Sequence, residues 1–248
     1  MFPIINIGPL SLPAPSLILI IGFWLGSTLA EKQAAKAGRD AALLSKILLY
    51  AITTGILGAR LSFIARNPAA FLGDWNSILS LNPALLDPLG GLVISLAVIY
   101  LLATKNQQSI GHLLDDLVPF LAVLAPAFFL GNFASGSGFG MLTDLPWGLE
   151  QWGGLRHPVQ LYYLLASLVV LYLVTFKTRP KELPGSSLFL SFFTYSAGYI
   201  SFIYTFQDPQ IYTVGGFRVF QLIAWAIFTI CIYLNHRLKT KEVRNATK

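Results

Sequence analysis

The sequence is poor in charge, cysteine and histidine. Only 11% of its 248 residues are Asp, Glu, Lys or Arg, against about 25% in an ordinary soluble domain. So little charge excludes a water-facing globular surface. The single cysteine, Cys231, excludes an intramolecular disulfide and says nothing about redox compartment; lying in an apolar segment, it reads as a small apolar side chain. Three dispersed histidines, His112, His157 and His236, lack the spacing of a metal site, and no Ser-His-Asp spacing occurs. No Lys or Arg precedes the first apolar segment, which therefore lacks the basic flank of a cleaved signal peptide and is expected to stay as a helix. There is no internal repeat and no low-complexity run.

Hydrophobic residues are plentiful, at 55%, and they come in long runs. A helix needs about 17 to 25 apolar residues to span ~30 Å of hydrocarbon. Such runs extend from about Pro15 to Ala30, Leu43 to Ile64, Ala84 to Ala103, Leu113 to Phe133, Pro158 to Phe176, Ser187 to Phe206 and Phe217 to Leu234. The expected fold class is all-α, a polytopic membrane bundle of seven transmembrane helices over residues 1–236, followed by a basic cytoplasmic tail at 237–248. Gly, Pro, Asn and Asp punctuate the breaks, at Asn67-Pro68, Asn82-Pro83, Gly136 to Gly140, Pro180, Pro184 and Asp208-Pro209.

The net charge of +6 does not call for nucleic acid, because no aromatic-basic binding motif accompanies it. Its distribution fits a membrane protein instead. Lys32, Lys36, Arg39 and Lys46 follow the first helix, Lys105 the third, Lys177, Arg179 and Lys181 the fifth, and Arg237, Lys239, Lys241, Arg244 and Lys248 the seventh. Thirteen of seventeen basic residues thus share one face, which makes that face cytoplasmic, with the N-terminus outside and the C-terminus in the cytoplasm. Arg60, Arg66, Arg156 and Arg218 break the bias at the outer ends of helices.

An ionisable residue at membrane depth is a functional hypothesis by default. Arg66 lies past its predicted helix and is expected to be solvated. Arg60, among small residues in Gly58-Ala59-Arg60-Leu61, either snorkels to the interface or anchors a lipid phosphate. Arg218, after Gly215-Gly216, is expected to pair with Asp208, with phosphate as the alternative. The run Leu130-Gly131-Asn132-Phe133-Ala134-Ser135-Gly136-Ser137-Gly138-Phe139-Gly140 is small, polar and suited to lining a water- or headgroup-filled cavity. No strand precedes it and no Lys-Ser or Lys-Thr follows, so it is not a phosphate loop. Arg156-His157-Pro158-Val159-Gln160-Leu161-Tyr162 opens the fifth helix: Pro158 suits a first turn, and Gln160 and Tyr162 bring polar groups into the outer end of the bundle. Asp115 and Asp116 are expected at a capped, solvated cytoplasmic helix end.

Ile7-Gly8-Pro9-Leu10-Ser11, Gly22-Phe23, Gly58-Ala59-Arg60-Leu61, Gly90-Gly91-Leu92, Leu130-Gly131-Asn132-Phe133, Asp144 to Gly148, Arg156-His157-Pro158, Gln160-Leu161-Tyr162 and Gln221 follow one another in an order and spacing that resembles the prolipoprotein diacylglyceryl transferase family. The resemblance implies seven helices around an outward-facing site, where the diacylglyceryl group of phosphatidylglycerol passes to the cysteine thiol of a lipoprotein signal sequence. The implied products are a thioether-linked precursor and glycerol phosphate. It also implies phosphatidylglycerol or another anionic phospholipid and a lipoprotein signal peptide as partners, a multi-pass location in the bacterial plasma (inner) membrane, and no cofactor. Such chemistry needs a thiolate and cations that hold the phosphate. The candidates are His157 as base, with Arg60, Asn132, Arg156, Gln160, Tyr162 and Arg218 binding substrate.

The departures from the family pattern fall on reactive positions. Leu89 stands for a histidine, Phe129 for an arginine, Ser137 and Tyr163 for glutamates, and Pro15 for an aromatic; Ser201-Phe202-Ile203-Tyr204-Thr205 replaces an Arg-Phe with a nearby glutamate. Three readings stay open: a divergent transferase using Arg60, Arg156 and Arg218, a non-catalytic paralogue binding phospholipid or signal helices, and a transferase with a changed donor or acceptor. A transporter is disfavoured, since paired broken helices in two repeated halves are missing.

Overall fold

The computed structural model describes residues 4–7, 10–71, 85–177, 185–208, 213–214 and 217–246. Among them are seven α-helices: α1 Ala14–Lys36, α2 Ala41–Arg66, α3 Pro88–Lys105, α4 Ile110–Ser135, α5 Val159–Tyr172, α6 Ser187–Ile203 and α7 Val219–Ala246. All except α6 are long and apolar enough to cross a membrane, α5 only together with the π-helical turn Leu173–Lys177 that continues it; α6 has 17 residues and continues into a 3-10 turn at Tyr204–Phe206. The chain is an all-α polytopic membrane bundle. Three small antiparallel hairpins, β1 Ile4–Ile7 with β2 Leu10–Pro13, β3 Leu149–Gln151 with β4 Gly154–Arg156, and β5 Thr213–Val214 with β6 Phe217–Arg218, decorate it. The predicted breaks at Asn82-Pro83, Pro180, Pro184 and Pro209, and Gly215-Gly216, lie outside the described residues.

Local chemistry sets the helix ends. Asp40 accepts from Leu43 N at 2.9 Å to start α2, and Asp87 accepts from Leu89 N at 3.2 Å ahead of Pro88 to start α3. Gly136, at φ 74°, adopts the left-handed conformation that stops α4. Pro119 and Pro126 sit inside α4, a placement that membrane helices tolerate when neighbours re-satisfy the freed carbonyls.

Lipid gives helices no hydrophobic reason to associate, so close packing through small residues does that work. In α1, a side chain on Gly26 would stand 3.0 Å from Phe120 O of α4. In α3, one on Gly91 would stand 2.7 Å from Gly55 O of α2. α1 therefore packs on α4 and α2 on α3, while α6 packs on α7 and α4 on α5. One core gathers Ala30, Leu44, Ile47, Leu117 and Phe120; another, between α4, α5 and α6, gathers Val118, Val170, Val174, Leu188 and Phe192. Large apolar side chains such as Trp24, Leu61, Val93 and Trp225 face outward, towards lipid.

Several acid and base expectations change. Asp115 and Asp116 are not solvated: they are 2% and 8% exposed. Asp115 accepts from Ser186 N and Phe189 N at 3.0 and 2.9 Å, capping α6 rather than its own helix. Asp116 pairs with Arg39 at 2.5 Å, tying the α1–α2 turn to α4. Burial explains both, since a carboxylate out of water needs partners wherever the fold supplies them. Arg66 belongs to α2 and pairs with Asp87 at 3.3 Å, although it remains largely exposed. The Ser62 hydroxyl, 2.6 Å from Asp87, and the Arg66 guanidinium hold the Asp87 carboxyl below its usual range. Lys32, Lys36 and Lys46 lie within α1 and α2, and α7 carries the basic segment after Leu234 as continuous helix to Ala246.

Candidate functional site

A cavity of about 550 Å³ lies between α4, α5, α6 and α7. It forms where the C-terminal ends of α4 and α6 meet the N-terminal ends of α5 and α7. Asn132, Gly138, Gln160, Tyr163, Tyr204 and Gln207 bring amides, hydroxyls and an open glycine backbone to these ends. Deeper in, Phe193, Ala197, Ile200, Ile223, Ala224 and Ile227 continue the wall as hydrocarbon. Among the described residues that line it, none is Asp, Glu, Lys, Arg or His.

The helix register explains who points inward. Gln160 and Tyr163 are three apart on α5 and share a face. Gln160, 1% exposed, donates through Nε2 to Ser137 O at 3.1 Å and to Gln151 Oε1 at 3.3 Å. Its Oε1 has no partner among the described residues, and neither has the Tyr204 hydroxyl. Ser196 Oγ, near the Tyr199 hydroxyl, also lies outside hydrogen-bond geometry. Phe129 stacks on Tyr163 with ring centroids 4.8 Å apart and planes 13° from parallel, and Tyr199 closes on both. The two positions where the family resemblance implies an arginine and a glutamate are thus one aromatic pair.

The predicted site residues fall into separate groups. Asn132 and Gln160 line the cavity. Arg156, His157 and Tyr162 lie beside it, in a cap built on the β3–β4 hairpin. Arg156 pairs with Asp208 at 2.5 Å, donates to Gly140 O at 3.1 Å and to Gln151 O at 3.2 Å, and stands 4.7 Å from the Phe139 ring centre. The expected Arg218–Asp208 pair is therefore replaced by Arg156–Asp208, because the β4 strand delivers Arg156 to that carboxylate. His157 Nδ1 lies 3.4 Å from the Tyr162 hydroxyl, which accepts from Trp147 Nε1 at 2.8 Å. Arg218 donates to Tyr204 O and Gln207 O at 2.5 and 3.0 Å and stands 5.7 Å over the Tyr204 ring, directly behind the cavity wall. Arg60 is elsewhere, at the α2–α3 corner, where it donates to Leu85 O at 2.9 Å and lies 5.4 Å from the Phe71 ring centre.

Residue-by-residue reading missed Gln151, Tyr204 and Gln207, and gave Tyr163 no place in the wall. Tyr163 was accessible through its i, i+3 relation to Gln160. Gln151 stands just before Trp152-Gly153, a two-residue turn in which both φ angles are positive, at 51° and 75°. Tyr204 lay in the segment Ser201–Thr205 that departs from the family pattern, and Gln207 had no local signal.

The sequence profile of the family described as prolipoprotein diacylglyceryl transferase matches residues 3–236. A phosphatidylglycerol--prolipoprotein diacylglyceryl transferase of Prochlorococcus marinus is 28% identical to the chain, covering 88% of it and 84% of the relative. One from Finegoldia magna is 24% identical, with 94% and 93% covered, and one from Oleidesulfovibrio alaskensis is 28% identical, with 84% and 80% covered. The profile runs from ahead of α1 into α7 and so takes in every element around the cavity, and the chain belongs to the prolipoprotein diacylglyceryl transferase family.

Proposed function

We propose that this chain transfers the diacylglyceryl group of phosphatidylglycerol to the cysteine of a lipoprotein signal sequence, in the bacterial inner membrane, with the N-terminus outside. The observation that carries this reading is the α4–α7 cavity, hydrocarbon in its depth and polar where the helix ends meet. Acyl chains suit the deep part, and a glycerol phosphate head suits the polar end. The signal-helix thiolate attacks the glyceryl carbon that bears the phosphate ester. A C–S bond forms, the C–O bond breaks, and its electron pair leaves on glycerol phosphate. In this reading His157 takes the thiol proton, and Arg218, behind Tyr204, is the cation nearest the developing phosphate charge. Asn132 and Gln160 hold the head, while Arg156 and Tyr162 fix the cap over it.

A second reading, a paralogue that binds phospholipid or signal helices without reacting them, draws on one specific observation. No cation lines the cavity among the described residues, and the guanidiniums of Arg60, Arg156 and Arg218 all donate to backbone carbonyls. Losing a group that stabilises charge in a transition state costs roughly 3 kcal/mol, or a hundredfold in rate. Complementation separates the two. The chain is expressed in bacteria depleted of their own diacylglyceryl transferase, and the mass of a reporter lipoprotein is followed. Growth with a diacylglyceryl mass increment on the reporter is the expected result. An unmodified reporter, with the protein folded and inserted, rejects transfer from phosphatidylglycerol to this acceptor and leaves the binding reading and a transferase with a changed donor or acceptor.

A further inference from the structure

The polar end of the cavity is uncharged yet unsatisfied. Gln160 Oε1 and the Tyr204 hydroxyl belong to residues 1% and 7% exposed, both line the cavity, and neither has a hydrogen-bond partner among the described residues. A buried acceptor without a donor carries the full cost of its lost hydration, so it marks a place where a ligand's donor belongs. The donor's chemistry follows from what surrounds it. An ammonium head would enter a wall with no carboxylate among its lining residues, and an unpaired buried charge is heavily penalised. A trimethylammonium head has no donor to give. A free hydroxyl meets Gln160 Oε1 without bringing charge, and a second can accept from or donate to Tyr204.

We propose that Gln160, with Tyr204, is a specificity-determining pair that reads the free hydroxyls of a glycerol headgroup and thereby selects hydroxyl-bearing lipids over those with ammonium heads. The assignment rests on the reading of this cavity as the donor-lipid site. It also explains a pattern in the wall: every polar group there is an amide or a hydroxyl, which suits a polyol, and Phe129 stacked on Tyr163 supplies no charge that would compete.

The test uses the full chain purified in lipid nanodiscs containing equal phosphatidylglycerol, phosphatidylethanolamine and phosphatidic acid, with retained lipid read by native mass spectrometry. Phosphatidic acid, anionic but without a glycerol head, separates charge from hydroxyl recognition. The parent chain is expected to retain phosphatidylglycerol about tenfold over both others, the factor that one buried hydrogen bond supplies. Gln160→Leu should bring the ratios near one, and Gln160→Glu should shift them towards phosphatidylethanolamine, whose ammonium a carboxylate would pair. Tyr204→Phe removes a single oxygen and leaves the packing intact; a drop of threefold or more is expected there, which keeps the test available if the Gln160 variants fold poorly. A parent ratio near one, or ratios unchanged in folded variants at both positions, overturns the proposal. Preference for phosphatidylglycerol without any transfer product rejects the transferase reading alone, whereas normal transfer with unchanged ratios in the variants rejects the headgroup assignment alone.

Discussion

Phe129 and Tyr163 occupy two positions at which the family resemblance implies an arginine and a glutamate, and their contact predicts what happens when charge is put back. Phe129→Arg alone sets a guanidinium against a cavity wall without counter-charge, and Tyr163→Glu alone sets a carboxylate where the parent residue is 7% exposed. Each should destabilise the bundle by roughly 2–4 kcal/mol, the range for uncompensated buried charge. Taking the 4.8 Å ring separation as the charge separation, the pair attracts by about 3.5 kcal/mol at an effective dielectric of about 20. The double variant should therefore recover about 3 kcal/mol relative to the sum of the singles. Thermal unfolding in detergent, followed through tryptophan fluorescence for the four proteins of the cycle, measures this coupling. The double variant also offers a cation to phosphate, so reporter lipidation should rise by about a hundredfold over the parent. A coupling below about 0.5 kcal/mol would refute the claim that these two residues form one dry contact in the wall.

Two other outcomes follow from the acids and the loops. Asp115→Ala removes the acceptor for Ser186 N and Phe189 N, and should cost about 1–2 kcal/mol, with protease sensitivity appearing first at the start of α6; cleavage elsewhere would show that the cap does not secure that helix. For orientation, an impermeant thiol reagent should label intact cells carrying Glu150→Cys, exposed on the β3–β4 hairpin, and leave Gln107→Cys, exposed between α3 and α4, unlabelled; native Cys231 is buried, and the reverse pattern would invert the proposed topology.

The helices were legible because a membrane demands long apolar runs, and each of the seven runs overlaps one of the seven helices among the described residues. Their ends were less so. Hydropathy reads only the part of a helix that lies in lipid, whereas α1 continues past Ala30 to Lys36 and α7 past Leu234 to Ala246 on Lys, Arg, Glu and Ala, which are good helix formers in water. Polar pairing was the least legible. Arg39 meets Asp116 across 77 positions and Arg156 meets Asp208 across 52, so neither partner carries a local sign of the other. Asp115 shows the same limit: an acid near a helix start looks like a cap for its own helix until α6 is folded against it.

At the candidate site the substitutions were visible one by one, but their meaning lay in a contact. Phe129 read alone is a lost cation, and Tyr163 read alone is a lost carboxylate. Stacked at 4.8 Å, they form one neutral contact in the wall. A charge placed on one side only would lie buried without a partner, at a cost of several kcal/mol. The neutral pair lies where α4 and α5 are in close contact, beside a cavity whose polar lining comes from Asn132, Gln160, Tyr163, Ser196, Tyr204 and Gln207 among the described residues. In the proposed transfer the leaving phosphate is therefore stabilised from behind a wall whose described residues carry no charge, by Arg218 over the Tyr204 ring.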